Sequence, residues 1–129
     1  MDSYLIDTDV IIDHLRGKKS ASDFLKKLKA ERCSIFYSVI TKAEIYSRVR
    51  SEEDEIVADL LKSLTEIPID GEIAKAAGRY KSRFHASHCL LLPDALIAAC
   101  AKKVSARLVT LNIKHFPMKD IEIQAPYQK

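Results

Sequence analysis

The residues of this chain best placed to do chemistry are carboxylates at the ends of short apolar runs. The first stretch, Tyr4-Leu5-Ile6-Asp7-Thr8-Asp9-Val10-Ile11-Ile12-Asp13, climbs through an apolar run to Asp7 and continues into a second apolar run beyond it. The run before Asp7 is too short for a helix. It fits a buried strand that delivers Asp7 at its C-terminal end, and in open α/β sheets ligands bind at that edge. A carboxylate placed there, with Asp9 two residues on, is costly to desolvate without a cation. The stretch therefore predicts a divalent metal site built outward from Asp7.

Two further acids stand in comparable places. Glu44 lies in Thr41-Lys42-Ala43-Glu44, directly after a β-branched and aromatic run. Taken alone, this spacing reads best as a capping box, with Thr41 and Glu44 serving the first amides of a helix. Asp94 follows Pro93 in the first turn of a segment otherwise free of charge, Ala95 to Ala101. Its plain reading is a favourable interaction with the helix dipole, although a carboxylate entering so apolar a helix is harder to dismiss. Jointly, acids at strand exits and helix starts point to convergence on one sheet edge. Other chemistries are poorly supplied. Gly17, Gly71 and Gly78 form no phosphate-cradling loop, dinucleotide fingerprint or nucleophile elbow. His85-Ala86-Ser87-His88 has no Cys or acidic companion at ligand spacing and reads as an exposed loop, while His14 reads as a surface histidine.

The elements that must position these acids follow from periodicity and capping. Thr8 or Asp9 caps a short helix through Leu15 that Gly17 ends. Ser20 caps a second helix, with Ala21, Phe24, Leu25 and Leu28 inward and Lys26, Lys27 and Lys29 toward solvent. Residues 34–39 form a strand, Thr41 opens a helix to about Val49, and the acidic run 51–55 starts another whose apolar face is Ile56, Val57, Leu60, Leu61 and Leu64. Residues 65–69 form a short strand that Pro68 confines to an edge or terminus. Asp70 caps a helix with Ile73, Ala76, Ala77, Tyr80 and Phe84 inward. Residues 107–110 and 121–123 complete the set of strands. Strands alternating with helices predict an α/β fold with a parallel sheet covered on both faces, in one domain over residues 1–129.

Composition bounds the partners. With 21 Lys and Arg against 18 Asp and Glu, the net charge is +3, which tolerates a polyanion without demanding one. Cys33, Cys89 and Cys100 are odd in number and form no Cys-x-x-Cys pair, which predicts reduced packing cysteines in a cytoplasmic protein. The N-terminus shows no secretory signal pattern, and no apolar run is long enough to span a membrane.

Taken in order, four segments resemble the motifs of PIN-domain ribonucleases, most closely the VapC toxins of bacterial and archaeal toxin–antitoxin pairs. They are Asp7-Thr8-Asp9-Val10-Ile11-Ile12-Asp13, Thr41-Lys42-Ala43-Glu44, Asp94-Ala95-Leu96-Ile97-Ala98-Ala99 and Leu108-Val109-Thr110-Leu111-Asn112-Ile113-Lys114-His115-Phe116. The resemblance covers nearly the whole chain. It implies a parallel sheet, commonly of five strands, and cleavage of RNA that depends on magnesium or manganese. It also implies restraint by a small antitoxin, and a homodimer formed through the helices around residues 41–64. Asp7 and Asp94 match the family's main metal ligands, Glu44 its second acid and Thr8 a polar neighbour; Asp9 stands as an accessory acid. The departure is at the fourth motif, where many members place another Asp and this chain has Asn112 and His115. Magnesium chemistry agrees, because that ion takes one or two carboxylates plus waters and phosphate oxygens. Arg79, Lys81, Arg83, Lys102 and Arg107 are candidates for holding an RNA backbone, each also readable as plain surface charge.

Two alternatives stand beside this reading. Asp7-Thr8-Asp9 after a strand also resembles the nucleophile and acid–base pair of haloacid-dehalogenase phosphatases. Thr110 could supply that family's second hydroxyl, but no paired acids follow Asp94. The other alternative is a PIN-like module with a degenerate site that binds RNA or protein, for which Asn112 is the best support.

Overall fold

The computed structural model describes residues 2–128. Its centre is a five-stranded, all-parallel sheet of β1 (Ser3–Ile6), β2 (Ser34–Ser38), β3 (Thr65–Ile67), β4 (Arg107–Val109) and β5 (Ile123–Gln124), in the order β3-β2-β1-β4-β5. From β1 the chain winds outward through β2 to β3, then returns across the sheet to lay β4 and β5 on the other side of β1. The direction therefore reverses between β1 and β4, a crevice where open parallel sheets bind ligands.

The sheet separates two apolar layers, and side-chain alternation along β1 shows how. Leu5 points into the layer made with α5 (Gly71–His88) and α6 (Leu92–Lys103), where Leu108, Ala77, Ile97 and Ala98 also lie buried. Tyr4 and Ile6 point the other way, against Val10, Ile11, Leu25, Ile45 and Val57. These belong to α1 (Thr8–Leu15), α2 (Lys19–Ala30), α3 (Val39–Arg48) and α4 (Asp54–Lys62). Helices on both faces satisfy strands that are apolar on both sides.

α5 and α6 form an antiparallel hairpin. Lys103, at the end of α6, pairs with Glu72 at the start of α5, while Lys81 reaches the Leu90 carbonyl in the turn between the helices at 2.8 Å. Cys89 ends α5 in the left-handed region at φ 50°. This hairpin directs the start of α6, and with it Asp94, to one end of the molecule.

Several local expectations are corrected. The cap of α1 is Asp7 itself, whose side chain accepts from the Thr8 amide; neither Thr8 nor Asp9 fills that role. α2 begins one residue after Lys18, which provides no side-chain cap, so Ser20 lies inside the helix. β2 stops at Ser38 because Ser38 caps α3 by accepting from the Ile40 amide. The helix thus starts two residues before Thr41, and the capping-box reading of Thr41 and Glu44 fails. β3 stops at Ile67, ahead of Pro68, and is an edge strand. The acidic run 51–55 begins as a 3₁₀ turn, Ser51–Glu53, before α4 proper. Ile56 is 65% exposed and outside the core. Residues 85–88 continue α5 and form no loop. β4 ends at Val109, and β5 lies two residues later than expected because it registers on β4 through Leu108–Ile123. Asp70 caps α5 as expected, accepting from the Ile73 amide at 2.8 Å.

Candidate active site at the switch point

β1 and β4 deliver the centre of the site. The Asp7 amide donates to the Val109 carbonyl at 2.9 Å, so the residue is locked at the end of the ladder. Its side chain is only 5% exposed. One carboxylate oxygen accepts from the Thr8 amide at 2.8 Å, and the other accepts from the Thr110 hydroxyl at 2.7 Å. Thr110 is held in turn, since its Oγ1 accepts from the Asn112 amide at 3.0 Å. Burial pushes the Asp7 carboxyl up to about 6. The two hydrogen bonds oppose that shift, while the negative charges of Asp94 and Asp9 add to it. Among the described residues, every hydrogen bond Asp7 receives comes from a neutral donor.

Asp94 enters from the first turn of α6. Its carboxyl is also raised, first by burial and then by the charges of Glu44 and Asp9, with His115 working in the opposite direction. His115 Nδ1 stands 3.7 Å from Asp94 Oδ2. Glu44 arrives from α3, where its Oε1 accepts from Thr8 Oγ1 at 2.6 Å, and Thr8 Oγ1 also contacts Thr41 Oγ1 at 3.0 Å. Asp7, Glu44 and Asp94, far apart in sequence, thus share one electrostatic neighbourhood at the C-terminal edge of the sheet.

Asp9 is different in kind. Arg48 Nη1 donates to one of its oxygens at 3.0 Å and Asn112 Nδ2 to the other at 2.7 Å. Its charge is already matched, which makes it a tie between α1, α3 and the segment after β4. Arg48 carries no signal in the sequence, being one of three arginines on the helices, with Arg79 and Arg83. Only the crossing of α1 and α3 reveals it.

The basic candidates divide. Arg107 begins β4, so it lies three residues, about 10 Å, before the site along an extended strand, and it is engaged by Glu122 and Gln124. Lys102 follows Asp94 by eight residues, about 12 Å of helix, and pairs with Asp120 at 3.3 Å. The structure does not bring either to the acids. Lys81 is bound to the Leu90 carbonyl. Arg79 and Arg83 are exposed on α5, and neither forms an ion pair among the described residues.

The donor set fits a hard divalent cation. Asp7, Glu44, Asp94 and Thr110 present oxygen donors, with the His115 ring beside Asp94. An ionised carboxylate offers about four lone-pair sites, and Asp7 has one hydrogen bond on each oxygen. Among the described residues no three His, Cys, Asp or Glu side chains come together as a ready-made metal cage.

Comparison with known proteins agrees with this geometry. Residues 4–120 match the PIN domain family model. The chain is 37% identical over 124 residues to ribonuclease VapC10 of Mycobacterium tuberculosis, covering 95% of this chain and 92% of the relative. It is 35% identical to ribonuclease VapC19 of the same organism, covering 95% and 98%. Among solved structures it superposes on a toxin–antitoxin complex from Klebsiella pneumoniae with a TM-score of 0.81 and 26% identity, covering 98% of this chain and 99% of that one. These matches argue against the phosphatase alternative. From its sheet order, its acids and its relatives, this chain belongs to the PIN domain family, among the VapC ribonucleases.

Proposed function

We propose that the chain is a divalent-metal-dependent endoribonuclease, the toxin of a toxin–antitoxin pair, working as one PIN domain in the cytoplasm. The observation that carries this reading is Asp7. It is a buried carboxylate at the switch point, hydrogen-bonded among the described residues only by neutral donors, with Asp94 beside it and Glu44 bound to the adjoining Thr8. Asp7 and Asp94 would hold magnesium or manganese. When bound, such an ion polarises a phosphodiester and acidifies an attacking water.

The chain's own residues supply the remainder. The hydrogen bonds from Thr8 and Thr110 aim Asp7 and keep it from rotating. Glu44 has Oε1 fixed by Thr8, which leaves Oε2 to orient the attacking water and take its proton. His115, beside Asp94, lines the same edge. Arg79 and Arg83 offer exposed positive charge to the RNA backbone.

A small antitoxin would quiet the site by laying a basic side chain against these acids, a pairing favoured by bidentate geometry. The relatives support this partner, since the Klebsiella structure is a toxin–antitoxin complex. A homodimer would use the helices around residues 41–64, where Tyr46 on α3 and Ile56 on α4 are exposed apolar side chains. Light scattering at micromolar concentration reads this directly, and a monomer would refute it.

The deciding experiment incubates the purified protein with total bacterial RNA in Mg²⁺ or Mn²⁺ and maps the ends produced. Cleavage should vanish on chelation and in Asp7→Asn and Asp94→Asn. Undiminished cleavage in either variant would remove the metal-site reading. RNA binding without cleavage by the wild type would favour the degenerate binding module.

A further inference from the structure

Thr41 is completely buried in the first turn of α3. A threonine there often turns its hydroxyl onto a backbone carbonyl three or four residues earlier. No such bond forms here: among the described residues the hydrogen-bond partner of the Thr41 side chain is Thr8 Oγ1, 3.0 Å away. Thr8 Oγ1 lies 2.6 Å from Glu44 Oε1, and Thr8 is itself only 2% exposed.

The directions of these bonds follow from counting protons. A hydroxyl has one proton to give, and a carboxylate can only accept. The Thr8–Glu44 contact is the shorter, as a bond to a charged acceptor should be, so the Thr8 proton points to Glu44. The Thr8–Thr41 contact can then be made in one way only, with Thr41 donating. We propose that Thr41 is a positioning residue for Glu44 that acts through Thr8, in the order Thr41 Oγ1–H to Thr8 Oγ1–H to Glu44 Oε1.

Thr41 and Glu44 are three apart on α3 and share a helix face. The relay leaves α3, passes through α1, and returns to α3. Each donor polarises the next, which strengthens the final bond. Because the Thr8 amide also donates to Asp7 Oδ1, fixing the Thr8 side chain sets the proton-accepting acid against the metal-holding acid. The assignment has two readouts. One is cleavage, which rests on the ribonuclease reading; the other is the Thr8 side-chain rotamer, which does not.

The test compares wild type, Thr41→Val, Thr41→Ser, Thr8→Val and the double valine variant, all as the full chain. Single-turnover cleavage of total bacterial RNA in Mn²⁺ should fall about tenfold in Thr41→Val with Mn²⁺ affinity unchanged, and recover in Thr41→Ser. The double variant should be no slower than Thr8→Val alone, because the two residues form one chain. In the metal-free protein, three-bond couplings from the Thr8 methyl to its own amide nitrogen and carbonyl carbon should report one χ1 rotamer in wild type and Thr41→Ser. In Thr41→Val they should report an average. A fixed Thr8 rotamer in Thr41→Val, or single effects that add in the double variant, would overturn the relay. Should Thr41→Val fail to fold, Thr41→Ala carries the same comparison. If the wild type leaves RNA intact, the ribonuclease reading falls, and the Thr8 couplings still decide the relay.

Discussion

The two ends of the sheet carry similar numbers of charged groups and treat them in opposite ways. At the N-terminal end a cavity of about 410 Å³ is lined by Asp2, Lys102, Arg107, Asp120 and Glu122 among others. There Arg107 faces Glu122 at 2.8 Å and Lys102 faces Asp120 at 3.3 Å, so much of the charge is matched locally and exposed to solvent. At the C-terminal end burial raises the cost of ionising Asp7 and Asp94, the charge of Asp94 adds to it at Asp7 and that of Glu44 at Asp94, and Asp7 is held by a hydroxyl and an amide. Paired surface charge contributes little to stability. Buried like charges cost stability, and a fold retains them where a ligand brings the missing charge. That cavity lies at the end of the sheet away from the three acids.

Substitutions can break this contrast. The largest effect belongs to Asp7→Asn and Asp94→Asn, each of which should lower RNA cleavage by about a thousandfold or more, as expected when a group needed to assemble the transition state is lost. Measured cleavage within tenfold of wild type would place the chemistry elsewhere.

Next comes the pH dependence of the metal-free protein. The folded Asp7 value of about 6 lies above its ordinary 3.8, so the folded chain binds this proton more tightly than the unfolded chain. The stability this provides is fully present below about pH 4 and lost as pH rises through 6, amounting to about 3 kcal/mol at most. Urea midpoints in chelator, plotted as wild type minus Asp7→Asn, should therefore decline between pH 4 and 7. A flat difference would mean that Asp7 is not strained.

Asn112→Asp sharpens the comparison from the other side. It replaces the donor to Asp9 Oδ2 with a second carboxylate, and should destabilise the metal-free protein by about 1–3 kcal/mol. Added Mn²⁺ should restore that loss in thermal melts, because the extra carboxylate would supply charge for a second ion. Further down the scale, neutralising Arg79 and Arg83 together should raise the RNA concentration needed for half-maximal cleavage several-fold and flatten its salt dependence. The smallest effect is expected from Arg107→Ala at the opposite end. Cleavage should stay within about twofold of wild type, and stability should shift by under ~1 kcal/mol.

The acids themselves were legible before the fold because each interrupts an apolar pattern: Asp7 ends a strand run and Asp94 enters an uncharged helix. The parallel sheet and its helix layers were legible for the same reason. Strand order was not. Nothing local says that β4 returns to lie beside β1, yet that return makes Asp7 a switch-point residue and puts Thr110 on its second oxygen. Capping was misread where one residue type had two uses. Thr41 and Glu44 have capping-box spacing, but Ser38 three residues earlier already serves the helix, which frees both side chains for the site. Likewise Asn112 looked like a vacancy in a ring of acids, and the structure shows its amide restraining Asp9. Sequence spacing reports which groups could meet, and hydrogen-bond direction decides what each does there.

Asp7 performs two duties at once, ending β1 and capping α1. A ligand atom on a flexible loop must give up motion each time it captures an ion, and that loss of entropy weakens every encounter. Here the side chain was immobilised when the helix formed, because releasing it would strip the first amide of α1 of its partner. Holding an ion there would therefore ask for no rearrangement of this residue. The ordering that remains would fall mainly on Asp94, while the waters such an ion sheds would gain freedom and favour its capture.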